Sequence, residues 1–188
     1  MSDGRIKNGN GEKRYAGVDA EFRVEAHATT ITEGEFINEH DQESYVVYAD
    51  VTPTAGGDVF FLMENTHTDK LMVLDWYRAW TEDSAEAIDV LTGGSGTLSG
   101  TTELTPVNSY VNSSNTAQGN FYEGVDITGL TGPKVYDRLR ISGDGKDVVD
   151  TFPGKIIVPK SGIVYLRALN GAIPIETTVA FHYINKVS

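Results

Sequence analysis

The feature that most constrains this fold is a regular series of short apolar runs through the centre and the second half of the chain. Runs of β-branched and aromatic residues recur about every ten residues, and clusters of Gly, Pro, Asn, Asp or Ser close each of them. This spacing is typical of antiparallel sandwiches, in which every run is a strand and every closing cluster is a turn. Counting about ten strands, we predict an all-β, jelly-roll-like antiparallel sandwich.

Several strands can be placed together with their faces. Val59–Met63 is apolar at every position, which predicts a central strand that is covered on both sides. Ala85–Thr92 fits either a strand or a helical turn. Lys70–Trp80 predicts a long strand with Met72, Leu74, Trp76 and Trp80 on one side and Leu71, Val73, Asp75 and Tyr77 on the other. The last strand is expected to turn Thr177, Val179, Phe181 and Tyr183 to the core and Glu176, Thr178, Ala180 and His182 outward.

Composition restricts the classes of protein to which the chain can belong. Its 188 residues can bury one substantial core, and the lack of cysteine excludes disulfides and thiolate chemistry. A net charge of −12 without a long basic run disfavours nucleic-acid binding. No apolar run reaches the roughly 20 residues of a membrane span, and the first residues do not resemble a secretory signal. We therefore expect no membrane association, and folding in a cytoplasm.

The charges are distributed unevenly along the chain. Glu25–Asp69 holds ten acidic residues and Ala79–Pro133 holds seven, with no Lys or Arg in either segment. By contrast, Lys134–Arg167 holds seven basic residues and four acidic ones. Two interpretations stay open: these are solvated faces of one subunit, or they form a two-signed surface through which subunits dock in an ordered assembly.

The first 23 residues predict a separate segment. Glycines punctuate it and apolar residues are few, so we expect it to lie outside the sandwich, which we place at 24–188 with Val24–Thr32 as its first strand. The segment is either a frayed terminus or an extended arm that becomes ordered on an acidic neighbouring surface. Its basic residues are Arg5, Lys7, Lys13 and Arg14.

A search for catalytic and metal sites finds no diagnostic motif. The histidines lie far apart and without paired ligand spacing, so we interpret them as surface residues; they are His27, His40, His67 and His182. No Gly-x-Ser-x-Gly elbow nominates a nucleophile, and the glycine-rich segment 93–100 lacks the lysine of a phosphate-binding loop. We predict no catalytic residue, no metal and no cofactor. The segments 93–100 and 108–119 are interpreted as loop connections or exposed tips.

Four stretches, taken together, resemble virion structural proteins of tailed bacteriophages. The resemblance lies in residue texture and segment order over most of residues 40–185, and its stretches are Tyr45–Pro53, Val59–Asn65, Ile156–Asn170 and Glu176–Tyr183. It implies a jelly-roll or related sandwich without catalytic residues. It also implies a role as a capsid decoration (cement) protein, a head fibre, or a neck or tail accessory.

As a decoration protein, the chain would bind the major capsid protein or other virion proteins after assembly in the host bacterial cytoplasm, and a trimer is the expected oligomer. The candidates for docking to the shell are Arg5, Lys7, Lys13 and Arg14. Because aromatic residues dominate interface hot spots, the candidates for a subunit interface are Trp76, Tyr77 and Trp80. The alternatives are a head-fibre, neck, tail or receptor-binding protein whose tips contact a glycan, and a carbohydrate-binding module.

Overall fold

The structure, a computed structural model, describes residues 41–81, 85–142 and 148–186, with the backbone alone between 150 and 155. Among the first 40 residues it describes the backbone of four short strands. The chain forms two compact units, Met1–Thr32 and Glu33–Ser188.

Two short antiparallel strand pairs lie in the first unit. β1 (Arg5–Lys7) pairs with β2 (Lys13–Tyr15), so all four basic residues predicted to dock lie in this pair. β3 (Gly17–Val18) pairs with β4 (Val24–Glu25). β4 begins at Val24, the first residue of the predicted sandwich. Residues 26–32 of that predicted strand and most of the predicted arm lie outside the described residues.

The second unit contains eleven strands in its described part. In chain order they are β5 (Ser44–Val51), β6 (Val59–Asn65), β7 (Lys70–Trp80), β8 (Glu86–Thr92), β9 (Thr102–Glu103), β10 (Val107–Asn108), β11 (Gly119–Glu123), β12 (Lys134–Ile141), β13 (Val148–Val158), β14 (Ile163–Ala168) and β15 (Ile175–Asn185). They form a five-stranded sheet, β10-β5-β15-β7-β13, and a six-stranded sheet, β12-β8-β14-β6-β11-β9. Every described pairing is antiparallel, and no helix occurs among the described residues.

The strand order is that of a jelly roll. Eight strands form two four-stranded groups, β5-β15-β7-β13 and β6-β14-β8-β12, in which the last strands of the chain insert between the first ones. The three short strands β9, β10 and β11 all come from the connection between β8 and β12, and they extend the edges at β5 and β6. The predicted all-β, jelly-roll-like sandwich is confirmed.

Strand alternation supplies the core between the sheets. Alternate residues of β5 from Tyr45 to Val51, and of β15 from Ile175 to Tyr183, are buried. Strand β6 differs because all four residues from Phe60 to Met63 are at most 1% exposed. Its Leu62 belongs to a second apolar cluster, separate from the main core. This confirms the prediction that β6 is covered on both sides.

A β-bulge interrupts the alternation in β7. Trp76 pairs with Ala180 and Leu74 pairs with Phe181, so Asp75 has no partner on β15. The pairing of β7 with β13 is irregular at the same place. A bulge adds one residue to one strand, and every side chain beyond it changes face.

The bulge corrects the predicted faces of β7. Met72 and Leu74 belong to the main core before the bulge, and Tyr77 belongs to it after the bulge. Trp76 and Trp80 are half-buried and lie outside the core cluster. The prediction that both tryptophans share a side with Met72 and Leu74 is therefore wrong, because simple alternation over eleven residues cannot anticipate the extra residue.

Strand β8 settles the choice between a strand and a helical turn in favour of the strand. It begins at the buried Glu86, whose carboxylate accepts hydrogen bonds from the backbone N–H groups of Leu169, Asn170 and Gly171 at 2.8 to 3.2 Å. One side chain thus fixes the β14–β15 connection to the start of β8. No sequence signal had singled out Glu86.

Candidate functional site

An exposed apolar surface lies around β10, at one edge of the five-stranded sheet. Val107, Tyr110 and Val111 are 70%, 41% and 78% exposed. Val107 is opposite Val46 on β5, so Tyr48, two residues further along β5 and 51% exposed, lies on the same face. Tyr48, Val107, Tyr110 and Val111 are called the tip surface below.

Asparagine side chains hold the backbone that carries the tip surface. Asn108 Nδ2 donates to the Gln42 carbonyl at 2.8 Å, and its Oδ1 accepts from the Tyr110 N–H at 2.8 Å. Asn115 Nδ2 also donates to the Gln42 carbonyl, at 3.3 Å. A turn closed by the Ser113 N–H and the Tyr110 carbonyl, 3.0 Å apart, lies between the two asparagines. The exposed side chains are therefore presented on a fixed backbone.

The tip lies in the longest part of the sequence that has no charged residue. No Asp, Glu, Lys or Arg occurs from Leu104 to Tyr122, although the whole chain carries a net charge of −12. The exposure of Tyr110 and Val111 confirms the interpretation of 108–119 as an exposed tip. The sequence feature that indicates this surface is the lack of charged residues. The segment was interpreted from its Asn and Ser content instead.

The outer face of the six-stranded sheet carries the second apolar cluster, under two loops. Its buried residues are Leu62, Leu91, Ile127 and Tyr165. The covering loops 93–100 and 124–133 pair with one another at Ser95–Thr131 and Ser99–Thr128. Most of loop 93–100 is exposed, as expected of a tip, but Leu98 packs against the cluster. The glycine-rich loop is therefore a cover over the sheet.

The close approach of these two loops explains part of the glycine content. A Cβ atom at Gly96 would lie 1.7 Å from the Gly129 carbonyl oxygen, and one at Gly129 would lie 1.9 Å from the Thr97 carbonyl oxygen. Gly129 also has a φ of +97°, in the region that favours glycine. The loops can approach this closely only because Gly96 and Gly129 carry no side chain.

A cavity of about 290 Å³ lies beside loop 124–133 and opens to solvent. Its lining combines apolar, charged and hydroxyl groups with glycine backbone, from Gly57, Val59, Leu91, Asp126, Ile127, Thr128, Gly129, Leu130, Pro133, Tyr165 and Arg167. Two lining residues carry a buried polar atom without a hydrogen-bond partner among the described residues: the hydroxyl of Tyr165 and Nε of Arg167. Burial raises the pKa of Tyr165, and the Arg167 charge opposes this, so the phenol keeps its proton.

Arg167 is held by a row of charges across three strands. Asp89 on β8 is cross-strand partner to Arg138 on β12 and to Arg167 on β14. The Asp89 carboxylate, fully buried, accepts from Arg138 Nε at 2.6 Å and from an Arg167 terminal nitrogen at 2.7 Å. Burial alone would raise the pKa of Asp89, but the hydrogen bonds and charges of the two guanidinium groups outweigh it and lower that pKa.

A buried histidine lies on the five-stranded sheet, against prediction. His182 is 1% exposed, and its Nδ1 lies 2.9 and 3.0 Å from the carboxylate oxygens of Asp75, the bulged residue of β7. The prediction that His182 faces solvent is wrong, since its ring is buried and lies against the Asp75 carboxylate. Ser44 is the cross-strand partner of His182 on β5. However, His182 Nε2 has no hydrogen-bond partner among the described residues, so the three residues do not form a serine–base hydrogen bond.

The other histidines give no site in the part of the chain that is described. His67 Nδ1 accepts from the backbone N–H groups of Asp69 and Lys70, and its ring lies against Tyr183. His27 and His40 lie outside the described residues. No group of three or more His, Cys, Asp or Glu side chains among the described residues could hold a metal ion.

The residues predicted for a subunit interface do not share one environment. Tyr77 is 1% exposed in the main core, whereas Trp76 and Trp80 are half-buried on the outer side of β7. The interface assignment therefore stays a prediction for the two tryptophans, and Tyr77 contributes to the subunit core. For Arg5, Lys7, Lys13 and Arg14 the structure gives the backbone pairing only.

Comparison with protein-family models, with curated proteins and with solved structures finds no match to this chain. Within the described residues, no helix is long and apolar enough to cross a bilayer.

Proposed function

We propose that this chain is a non-enzymatic structural protein of a tailed-bacteriophage virion, and that it decorates the capsid by binding and stabilising the assembled head. The observation that carries the proposal is the tip surface, where Val107, Tyr110 and Val111 stand exposed on an uncharged loop beside Tyr48 of β5, which lies near Asp50, Glu123 and Glu176. The sequence resemblance to phage virion proteins is the reason for proposing a phage particle as the partner, and the jelly roll is a scaffold that such proteins use. The protein would reach the capsid surface from the host cytoplasm.

The tip surface suits a contact with another protein. Burying exposed apolar area stabilises a complex by about 25 cal/mol per Å² before the costs of association. Charged residues are depleted at the centres of interfaces because their desolvation is costly, and the tip loop has none between Glu103 and Glu123. Because the chain carries a net charge of −12, two copies of it repel each other least when the residues in contact are uncharged.

The test is co-sedimentation of the purified protein with empty heads of the phage that encodes it, with the number of copies per particle measured by quantitative mass spectrometry. A decoration protein should bind in hundreds of copies, in a ratio that matches the lattice. A handful of copies would assign the protein to the neck, tail or fibres. No copies would remove it from the virion and overturn the proposal.

Substitution in the tip should weaken attachment without unfolding the subunit. We expect Tyr110→Ser with Val111→Ser to reduce binding to heads at least tenfold, because both exposed apolar side chains are lost. The matched control is Val149→Ser, which changes a 54% exposed valine on β13, at the opposite edge of the same sheet. Equal binding by the tip variant and the control would contradict the role of the tip.

The basic arm is a second proposed contact with the shell. Deleting residues 1–20, which removes Arg5, Lys7, Lys13 and Arg14, should leave the thermal unfolding of the sandwich unchanged and weaken attachment to heads. Attachment of basic side chains to an acidic surface should also decrease as salt is added. Full attachment by the truncated protein at every salt concentration would contradict this role.

The oligomer follows from the same proposal. We expect a trimer, with Trp76 and Trp80 at the contact between subunits. Light scattering gives the mass in solution. If Trp76→Ala and Trp80→Ala leave that mass unchanged, the two tryptophans do not form the interface.

A further inference from the structure

We infer that the cavity between loop 124–133 and the six-stranded sheet is a binding site for a small, neutral, polyhydroxylated ligand of the size of a single sugar. This site is independent of the virion role, since none of its lining residues belongs to the tip surface or to the basic arm. A sugar site is therefore compatible with either success or failure of the decoration proposal.

The first argument is that the cavity has hydrogen-bond donors without acceptors. The Tyr165 hydroxyl and Arg167 Nε are both buried, and neither has a partner among the described residues. Buried polar groups in folded proteins are almost always paired, so an unpaired donor beside a cavity indicates that something else supplies the acceptor. The oxygen atoms of a bound ligand can do so when the side chain turns its donor toward the cavity, since neither atom is accessible in the free protein.

The second argument concerns the charge of the ligand. Arg167 lines the cavity, but its terminal nitrogen already binds Asp89, and Asp89 also neutralises Arg138 in part. Asp126 adds a carboxylate to the same lining. An anion would be attracted by Arg167 and repelled by Asp126, whereas a cation would be attracted by Asp126 and repelled by Arg167. A neutral hydroxyl group both accepts and donates, so it can use both residues.

The third argument concerns size and shape. A volume of 290 Å³ equals the share of about ten water molecules in the liquid, which is close to the number of non-hydrogen atoms in a hexose. Leu91, Ile127 and Leu130 give apolar lining for the C–H groups of a ring, and the few polar groups fix its orientation. Loop pairing at Ser95–Thr131 and Ser99–Thr128 fixes the cover before a ligand arrives.

The experiment uses hexoses that share one ring and differ in charge. Glucose, galactose and mannose are neutral, glucuronate is an anion and glucosamine is a cation. Each is titrated into the ¹⁵N-labelled protein while the backbone amides of Gly57, Thr128 and Gly129 and the Nε–H of Arg167 are observed. We expect at least one neutral hexose to shift these resonances saturably at millimolar concentration, and the charged sugars to bind more weakly.

Tyr165→Phe tests the geometry by removing one hydroxyl. It should weaken hexose binding about tenfold, the value of one lost hydrogen bond, whereas Tyr48→Phe on the other sheet should leave binding unchanged. In the free protein, Tyr165→Phe should keep or raise the melting temperature, because the hydroxyl has no partner to lose. A lower melting temperature would mean that the hydroxyl is already paired, and would overturn the inference.

Three other results would also overturn it: no shift with any neutral hexose, tighter binding of glucuronate or glucosamine than of every neutral hexose, or hexose binding that Tyr165→Phe does not change. Failure of the capsid test together with hexose binding would make the protein a sugar-binding module. Capsid binding without hexose binding would leave the decoration proposal intact and remove the site.

Discussion

The outer faces of the two sheets differ in how their apolar residues are placed. On the six-stranded sheet, loops 93–100 and 124–133 cover the cluster around Leu91 and Tyr165, and loop 124–133 borders a cavity. On the five-stranded sheet, Tyr48 and Val149 are each about half exposed. A covered face can hold polar groups at fixed positions around a small ligand, whereas exposed apolar side chains are available to another protein. The two faces therefore suit the two proposed contacts, with a small ligand on one and another protein on the other.

The largest expected effect comes from opening the covered face. Gly129→Ala places a Cβ 1.9 Å from the Thr97 carbonyl oxygen at a φ of +97°, so the loops must separate. We expect the free energy of unfolding to fall by about 3 kcal/mol, through strain and lost loop pairing. Urea denaturation measures it.

The control for this variant lies three residues away. At Gly132, φ is +76° but no atom lies within 4 Å of a Cβ, so Gly132→Ala should cost only the backbone strain of about 1 kcal/mol. Equal losses for the two variants would show that the close loop approach contributes nothing to the covered face.

The second effect concerns the charge row across β12, β8 and β14. Asp89→Asn leaves Arg138 and Arg167 beside one another without their carboxylate, and we expect a loss of about 2 to 3 kcal/mol at pH 7. The pKa of Asp89 is lower in the folded protein than in the unfolded chain. Its contribution is therefore complete above the ordinary Asp pKa of about 3.9 and disappears as the pH falls through the lowered folded value.

The measurement that checks Asp89 is a series of urea titrations between pH 7 and pH 2. The difference in stability between the natural protein and Asp89→Asn should be constant above about pH 5 and shrink below it. A difference that persists unchanged to pH 2 would assign the loss to packing rather than to the charge of Asp89.

The smallest effect is expected on the five-stranded sheet. Asp75→Asn keeps the size of the bulged side chain but removes the charge that pairs with His182, and an amide oxygen can still accept from Nδ1. We expect a loss of about 1 kcal/mol, because a hydrogen bond to a charged group is replaced by one to a neutral group. Asp75→Ala should cost more, since it leaves Nδ1 of the buried ring without a partner. If Asp75→Ala has no effect by thermal unfolding, the pair does not stabilise this face.

The sequence predicted those features of the fold that depend on neighbouring residues, and missed those that depend on residues far apart in the chain. The jelly-roll strands and the doubly covered β6 followed from local patterns, since alternation and apolar runs are properties of neighbouring residues. The bulge at Asp75 could not be predicted in this way, because the apolar alternation of β7 is regular on each side of the inserted residue. The burial of His182 was not predicted either, and the carboxylate that contacts its ring lies 107 residues away in the chain.

The candidate sites were less accessible to sequence reasoning than the strands. The cavity is lined by residues from Gly57 to Arg167, which only the antiparallel pairing of distant strands brings together. The tip surface, by contrast, is local, and its signal was present as the uncharged stretch from Leu104 to Tyr122. Glu86 could not be identified, because nothing beside it in the chain indicates that it will hold the backbone of Gly171.

The position of β15 has a consequence for the order in which the molecule can form. This strand, near the carboxyl end of the chain, lies between β5 and β7, and pairs with both along most of its length. During synthesis on the ribosome, the five-stranded sheet therefore has a gap at its centre until Ile175–Asn185 has emerged. Until then β5 and β7 each present an unpaired edge, which is the kind of surface that invites aggregation.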